Sequence, residues 1–322
     1  MNKNILKKLY QGTIAVIVCV FFWSCNPQME IPSYIWIDSV DFQVSDPTSQ
    51  GTASHRITDV RVTANGQSLG FYQLPAKIPI LESGSTKLNI HACIMEGGVS
   101  IKRREYPFYT PYIVTADLKK GEIDTLRPSF KYTDGEHGAQ FINIENFESA
   151  GMLYVAYGQS APLNRTSDNA LMFHFPKEIN NYSGLVELPY YNDTLKENVY
   201  FFEIRSINPI ELNAFTLNTC LMELNFRITH HVEIGMIAHS ALSTIADRQI
   251  PLANLTGYDD INNTSVSNNV WKKVYINFTD QILNYSSNYQ MKNFDVYIRA
   301  TVEEKKQARF LFDNIKMVYD LK

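Results

Sequence analysis

The sequence predicts an all-β protein made of two sandwiches, an immunoglobulin-like one followed by a jelly roll. Three observations carry this. Short apolar runs alternate with period two, most regularly in Val199–Ile207 and Leu221–Ile228. Turn dipeptides and glycines separate the runs at close intervals. Aromatic residues make up 12%, with 19 Tyr and 18 Phe, which suits strands and leaves rings for ligand platforms.

The chain opens with Lys3, Lys7 and Lys8, an apolar run from Thr13 to Trp23, then Ser24 and Cys25. A basic head, ~10 apolar residues and a small residue at a cut describe a secretion signal; a membrane span needs ~20. Cysteine directly after such a cut resembles the bacterial lipobox. Phe22 and Trp23 replace the usual Leu–Ala/Ser lead-in, a version found in lipoproteins of Bacteroidota. The resemblance implies cleavage after residue 24, a lipid on Cys25 and attachment to the outer membrane. The other reading is an ordinary signal or anchor helix with a coincidental cysteine. Residues 25–33 form a short tether containing Pro27 and Pro32.

The first sandwich is expected over residues 34–132. Tyr34–Phe42 reads as a strand, and a polar insert, Gln43–His55, follows. Ile57–Ala64 and Gln67–Gln73 flank Asn65-Gly66, a strong short hairpin signal. Leu74-Pro75 and Ile78-Pro79 fit edge or bulge positions. Thr86–Met95 and Val99–Tyr106 form a second hairpin around Glu96-Gly97-Gly98, and Ile113–Leu118 and Ile123–Tyr132 a last pair around Lys119-Lys120-Gly121. Val60-Arg61-Val62, Asn65 to Gly70 and Leu81 to Leu88 together resemble the PEGA type of surface domain.

Residues 133–140, polar and glycine-rich, are the expected linker. Over 141–322 the predicted strands are Phe141–Ile144, Ala170–Phe175, Gly184–Pro189, Val199–Ile207, Leu217–Thr229, Val232–His239, Trp271–Phe278, Phe294–Thr301 and Ala308–Tyr319. Nine strands with long crossovers fit a jelly roll. Helix is expected only as a turn or two in Ser240–Asp247.

This half opens Asn146-Phe147-Glu148, carries Trp271 to Phe278 late and closes on Phe310-Leu311-Phe312-Asp313-Asn314-Ile315-Lys316-Met317. That order resembles the galactose-binding-like jelly rolls used as carbohydrate-binding modules. The resemblance implies a glycan ligand and a structural calcium held by Glu148 and Asp313. Calcium wants six to eight oxygens, so carbonyls near Ser167 and Asp168 would complete the set. A solvated loop acid and a turn cap are the plain alternatives. Across the whole chain, Ile31 to Ile35, Ser54 to Val60, Leu74-Pro75-Ala76 and Tyr106 to Tyr109 resemble a group of Bacteroidota lipoproteins.

Sugar binding needs flat rings with hydrogen-bonding groups beside them. Tyr190, Tyr191, Tyr258 and Asp259 stand in loops of suitable composition, as do Tyr285 to Tyr289; tyrosines that simply cover loops are the alternative. Trp271 reads as core. His174 reads as a core imidazole, and His230 and His231 point to opposite faces, so no catalytic cluster emerges. No carboxylate pair or nucleophile motif has distinctive context, so a non-enzyme is expected. Cys93 and Cys220 read better as two buried thiols than as a disulfide. Asp38-Ser39-Val40, Asp124-Thr125-Leu126 and Asp193-Thr194-Leu195 resemble the O-glycosylation triplets of Bacteroidota envelope proteins.

Without residues 1–24 the chain holds 26 basic and 33 acidic residues, a balance of −7. An acidic chain with no basic run excludes nucleic acid as the expected partner. Two functions remain: a glycan-binding lipoprotein, or an accessory protein-docking subunit of an outer-membrane complex for nutrient uptake, secretion or barrel assembly, with a β-barrel protein as a possible partner. An apolar surface at Tyr106–Tyr112 would favour the second.

Overall fold

The computed structural model describes residues 30–176, 178–188, 201–214, 216–257, 270–302 and 307–322. The chain is all-β as predicted. Its N-terminal part contains β1 (Ser33–Ile37), β2 (Asp41–Gln43), β3 (Asp59–Ala64), β4 (Gln67–Gln73), β5 (Ala76–Ile80), β6 (Gly84–Met95), β7 (Arg103–Glu105), β8 (Tyr112–Leu118), β9 (Ile123–Leu126) and β10 (Ser129–Lys131), with a single-turn helix α1 (Pro47–Gln50). One sheet runs β4-β3-β6, with β7 and β8 both on the far side of β6; β5-β1-β9 and β10-β2 complete the layers. Asn65 and Gly66 take φ of 47° and 85°, the left-handed pair that a tight hairpin needs, so β3 turns directly into β4. Pro79 lies on β5, the outermost strand of its sheet, where a missing N–H costs no ladder bond. Ile35, Ile37, Ile78 and Ile80 bury their side chains in one core with Val60, Val62, Leu88 and Ile90. Val99–Tyr106, expected as one strand, is instead a 3₁₀ turn at Ser100–Lys102 and the short β7.

The C-terminal part contains β11 (Gln140–Glu145), β12 (Tyr154–Ala156), β13 (Asn164–Thr166), β14 (Ser183–Leu188), β15 (Phe201–Ser206), β16 (Leu217–Ile228), β17 (Val232–Ser240), β18 (Arg248–Leu255), β19 (Lys272–Asn277), α2 (Thr279–Asn288), β20 (Met291–Thr301) and β21 (Ala308–Leu321). Two sheets result: β13-β14-β21-β16-β19, with β11 also on β21, and β12-β15-β20-β17-β18. Met222, Leu224, Phe312 and Met317 of the first share a core with Phe202, Ile234, Val296 and Ile298 of the second.

Three expectations need correction. Residues 170–175 are a turn followed by irregular backbone, not a strand, because Asp168 diverts the backbone: its side chain accepts from Ala170 N and its carbonyl from Leu171 and Met172 N. Ser240–Asp247 carries no helix, while Thr279–Asn288 does. Phe278, Ile282, Tyr285 and Tyr289 recur at spacings of four, three and four and put one apolar stripe of α2 on the core.

Candidate functional site

A sandwich has two outer faces, and here they have opposite fates. The outer face of the β21-β16-β19 sheet is covered by the N-terminal part. Alternation along β16 therefore serves two cores: Met222 and Leu224 point into the sandwich, while Leu221 joins the N-terminal core with Tyr275 and Val318. Between them sits Glu223, fully buried. Its carboxylate lies 2.6 Å from Lys273 Nζ and 3.7 Å from Lys316 Nζ. Tyr106 and Tyr132 donate their hydroxyls to it at 2.6 and 2.9 Å. The two lysines donate onward across the junction, Lys273 to the Ser54 carbonyl and Lys316 to that of Gln50, both at 2.6 Å.

Burial pushes the Glu223 carboxyl up, but Lys273 and Lys316 outweigh it and hold it down at about 2. Burial pushes Lys316 down to about 8 against the pull of Glu223. His55, beside them, is pushed down to about 4 by burial and then by Lys273. This face is structural. Tyr106, Phe108 and Tyr109 are all buried, so the 106–109 stretch belongs to the junction and the N-terminal core.

Among the described residues nothing covers the outer face of the second sheet in this way. In the antiparallel register, Glu203 of β15, Arg299 of β20, Glu233 of β17 and Asn254 of β18 stand in one row across four strands. The neighbouring row is Val155, Arg205, Tyr297 and Gly235. Arg299 is the hub, 2.8 Å from Glu233, 4.0 Å from Glu203 and hydrogen-bonded to Gln249 Oε1 at 2.9 Å. Tyr297 donates to Glu233 at 2.6 Å, and its ring lies where a Cβ on Gly235 would come within 2.6 Å of it. Burial, then the bond to Glu233, push the Tyr297 hydroxyl well up, so it stays a donor. Arg205 pairs with Glu203 and lies 3.2 Å above the ring of Tyr157, which is 54% exposed. Where the strands end, a cleft of about 510 Å³ opens between Phe201, Glu203, His231, Glu233, Asn254 and Arg299. At the far end His239 stands between Asp247 and Asp295, 3.0 and 3.1 Å from their carboxylates.

The residues singled out from sequence fall in several places. Cys25, Tyr190, Tyr191, Tyr258 and Asp259 lie outside the described residues, as does Asp193-Thr194-Leu195. Glu148 and Asp313 flank one loop. Glu148 accepts from the backbone N–H of Asn181 and Tyr182 at 2.8 and 2.9 Å and from the Asn181 amide at 2.9 Å. Asp313, buried, accepts from Ser183 Oγ, from Asn180 Nδ2 at 3.0 Å and from Asn314 N at 2.7 Å. Burial pushes its carboxyl up to about 7. Both carboxylates thus already clamp residues 180–183 through hydrogen bonds. A calcium ion there would have to displace these donors, and no group of three His, Cys, Asp or Glu among the described residues forms a metal cage. Phe147, between the two motif residues Asn146 and Glu148, fills the space that Gly184 leaves by lacking a side chain.

Tyr285 and Tyr289 are not a loop platform; Tyr285 lies on α2, Tyr289 caps its C-terminus, and both pack on the core. Trp271 is half-buried rather than core, its Nε1 donating to the carbonyls of Leu171 and Met172. His174 is exposed, not buried, and contacts the Asn169 carbonyl. His230 is buried beside Thr229, while His231 lines the cleft. Cys93 and Cys220 are free and buried. Ser39 and Thr125 are exposed. Sequence reasoning passed over Glu203, Arg205, Glu233 and Arg299. Their signal was charge at every second position of apolar strands, and only strand pairing shows that they meet.

No protein-family model and no curated protein sequence matches the chain. Among solved structures it is similar to a family 11 carbohydrate-binding module from Clostridium thermocellum in complex with a β-1,3-1,4-mixed-linked tetrasaccharide (14% identity, TM-score 0.35, 57% of this chain and 97% of that one). It is similar to a family 28 module specific for non-crystalline cellulose (14%, 0.35, 57% and 95%). A third is the N-terminal endo-1,4-β-D-xylanase fragment of Clostridium thermocellum with xylohexaose (8%, 0.34); it covers 55% of this chain and only 28% of that one.

Proposed function

We propose that this protein is a non-catalytic, glycan-binding lipoprotein, anchored through Cys25 to the outer membrane, that holds its ligand on the outer face of the β12-β15-β20-β17-β18 sheet. One observation carries the reading. Of the sandwich's two outer faces, one is consumed by the junction. The other presents the row Glu203, Arg299, Glu233 and Asn254, with Gln249 bonded to Arg299 and the exposed rings of Tyr157 and Phe201, beside an open cleft. Rings that stack and planar groups that bond vicinal hydroxyls are what sugar recognition needs. Glu203 and Glu233 are each engaged by an arginine, which fixes them as hydrogen-bonding groups on this face. An apolar surface around Tyr106–Tyr112 would favour the subunit alternative, and there Tyr106, Phe108 and Tyr109 are buried.

The test is affinity gel electrophoresis of the purified protein against a panel of neutral and acidic polysaccharides. Retardation by at least one glycan, lost in Arg299→Ala with the melting temperature retained, is the expected result. A panel without retardation would sink the reading, and stoichiometric recovery of a barrel protein from solubilised envelope would support the subunit alternative.

A further inference from the structure

The turn after β6 reaches across to the edge of the sandwich. Gly97 N donates to the Tyr275 carbonyl at 2.7 Å, and Glu96 forms an isolated parallel bridge with Tyr275. Beside this contact lies a second cleft, of about 240 Å³. The N-terminal part contributes Arg56, Gly97 and Gly98 to it, and the sandwich contributes Asn254, Thr256 and Lys272. It exists only because the two parts are docked.

Its charge is one-sided. Arg56 is tethered twice, its backbone N–H to the Tyr275 hydroxyl at 2.9 Å and its guanidinium to the Lys273 carbonyl at 3.3 Å, next to Lys272. Among the described residues no carboxylate lines the cleft, and neither Arg56 nor Lys272 forms an ion pair, although the chain carries net charge −4 and two other clefts mix both signs. Two cations lining one cleft make its potential positive, and a bound anion is favoured there. A guanidinium fork and an ammonium on the walls of one cleft can both bond a carboxylate. Asn254 lines both this cleft and the one on the sheet face, so the two are neighbours along β18.

We infer that the cleft between the two parts is an anion subsite for the same ligand, which makes that ligand an acidic glycan, with a sugar carboxylate set between Arg56 and Lys272. The inference rests on the glycan reading above. It gives the N-terminal part a share in recognition, and it turns the docked arrangement of the two parts into a requirement for binding.

The experiment compares the full chain with Arg56→Gln, Lys272→Gln and the double variant on polygalacturonan, alginate and hyaluronan, and on xylan, mannan and mixed-linkage β-glucan. Arg56 is exposed and the glutamines keep most of the side-chain volume, so melting temperatures should stay level. The expected result is wild-type binding to at least one acidic polymer, weakening between about 50 and 300 mM salt. The double variant should then bind that polymer at least tenfold more weakly, about 1.4 kcal/mol. Any neutral polymer retained by the wild type should be retained equally by the variants. Acidic binding unchanged in the double variant, or retardation by neutral polymers alone, overturns the subsite and leaves the glycan reading standing. A panel with no retardation at all overturns both.

Discussion

Glu223→Gln isolates the contribution of one buried charge to the joining of the two parts. The variant keeps the shape and an acceptor oxygen for Tyr106 and Tyr132, but removes the negative charge facing Lys273 and Lys316, which are 3% and 1% exposed. Deleting one partner of a buried pair leaves the other charge uncompensated and costs about 3–5 kcal/mol. With a slope of about 3 kcal/mol per molar urea, the unfolding midpoint should fall by roughly 1–1.7 M. The double variant Glu223→Gln/Lys273→Met should recover part of that, with a coupling energy of about 1–3 kcal/mol in a double-mutant cycle. The pH dependence has a definite sign. The folded carboxyl titrates at about 2, below its ordinary value of 4.5. Its contribution is therefore complete above pH 4.5 and is lost as the pH falls toward 2. Urea titrations monitored by circular dichroism at pH 7 and pH 3 provide the assay. A loss under about 1 kcal/mol at pH 7, or a wild-type to variant difference that does not shrink at pH 3, would refute the argument that a paired charge holds this junction.

Asp313 should behave in the opposite way. Its folded carboxyl is raised from 3.8 to about 7, so its contribution is present below 3.8 and lost as the pH rises through 7; Asp313→Asn should flatten the melting-temperature profile over that window. Because hydrogen bonds already clamp residues 180–183, neither calcium nor EDTA should move the wild-type melting temperature, and a rise of several degrees with calcium would instead establish the metal site. Gly235→Ala places a Cβ within 2.2 Å of the Ile250 carbonyl and 2.6 Å of the Tyr297 ring, so it should cost about 1–3 kcal/mol and weaken glycan retention as Tyr297 leaves Glu233. Cys93, whose thiol burial pushes up to about 12, and Cys220, pushed up further by its own burial, should resist a thiol reagent until denaturant is added. Cys25→Ser should abolish labelling by a palmitate analogue and release the protein from the membrane fraction.

The strands were legible because their signals are local. Asn65-Gly66 announces a hairpin through two left-handed residues, and the alternation of β15 and β16 follows from the pleat. Helix α2 was equally local, written in Phe278, Ile282, Tyr285 and Tyr289, and was lost by reading its tyrosines for stacking before reading their spacing. Asn146-Phe147-Glu148 and Asp313 stood out as a pair, but what joins them is the 180–183 loop, whose donors the motif does not mention.

By itself, then, the sequence determined an all-β chain, the positions of most strands, an acidic balance and the lipobox-like start. Each of these follows from neighbours in the chain or from composition. Only the tertiary structure decided which face of which sheet meets water. In sequence Glu223 and Glu233 are the same thing, a carboxylate on an apolar strand. One is sealed between two lysines and two tyrosines because the N-terminal part packs on its sheet; the other sits half-open beside Arg299 because nothing among the described residues covers its own. Burial depends on contacts between residues more than 90 positions apart, such as Tyr132 with Glu223, and no local pattern encodes them.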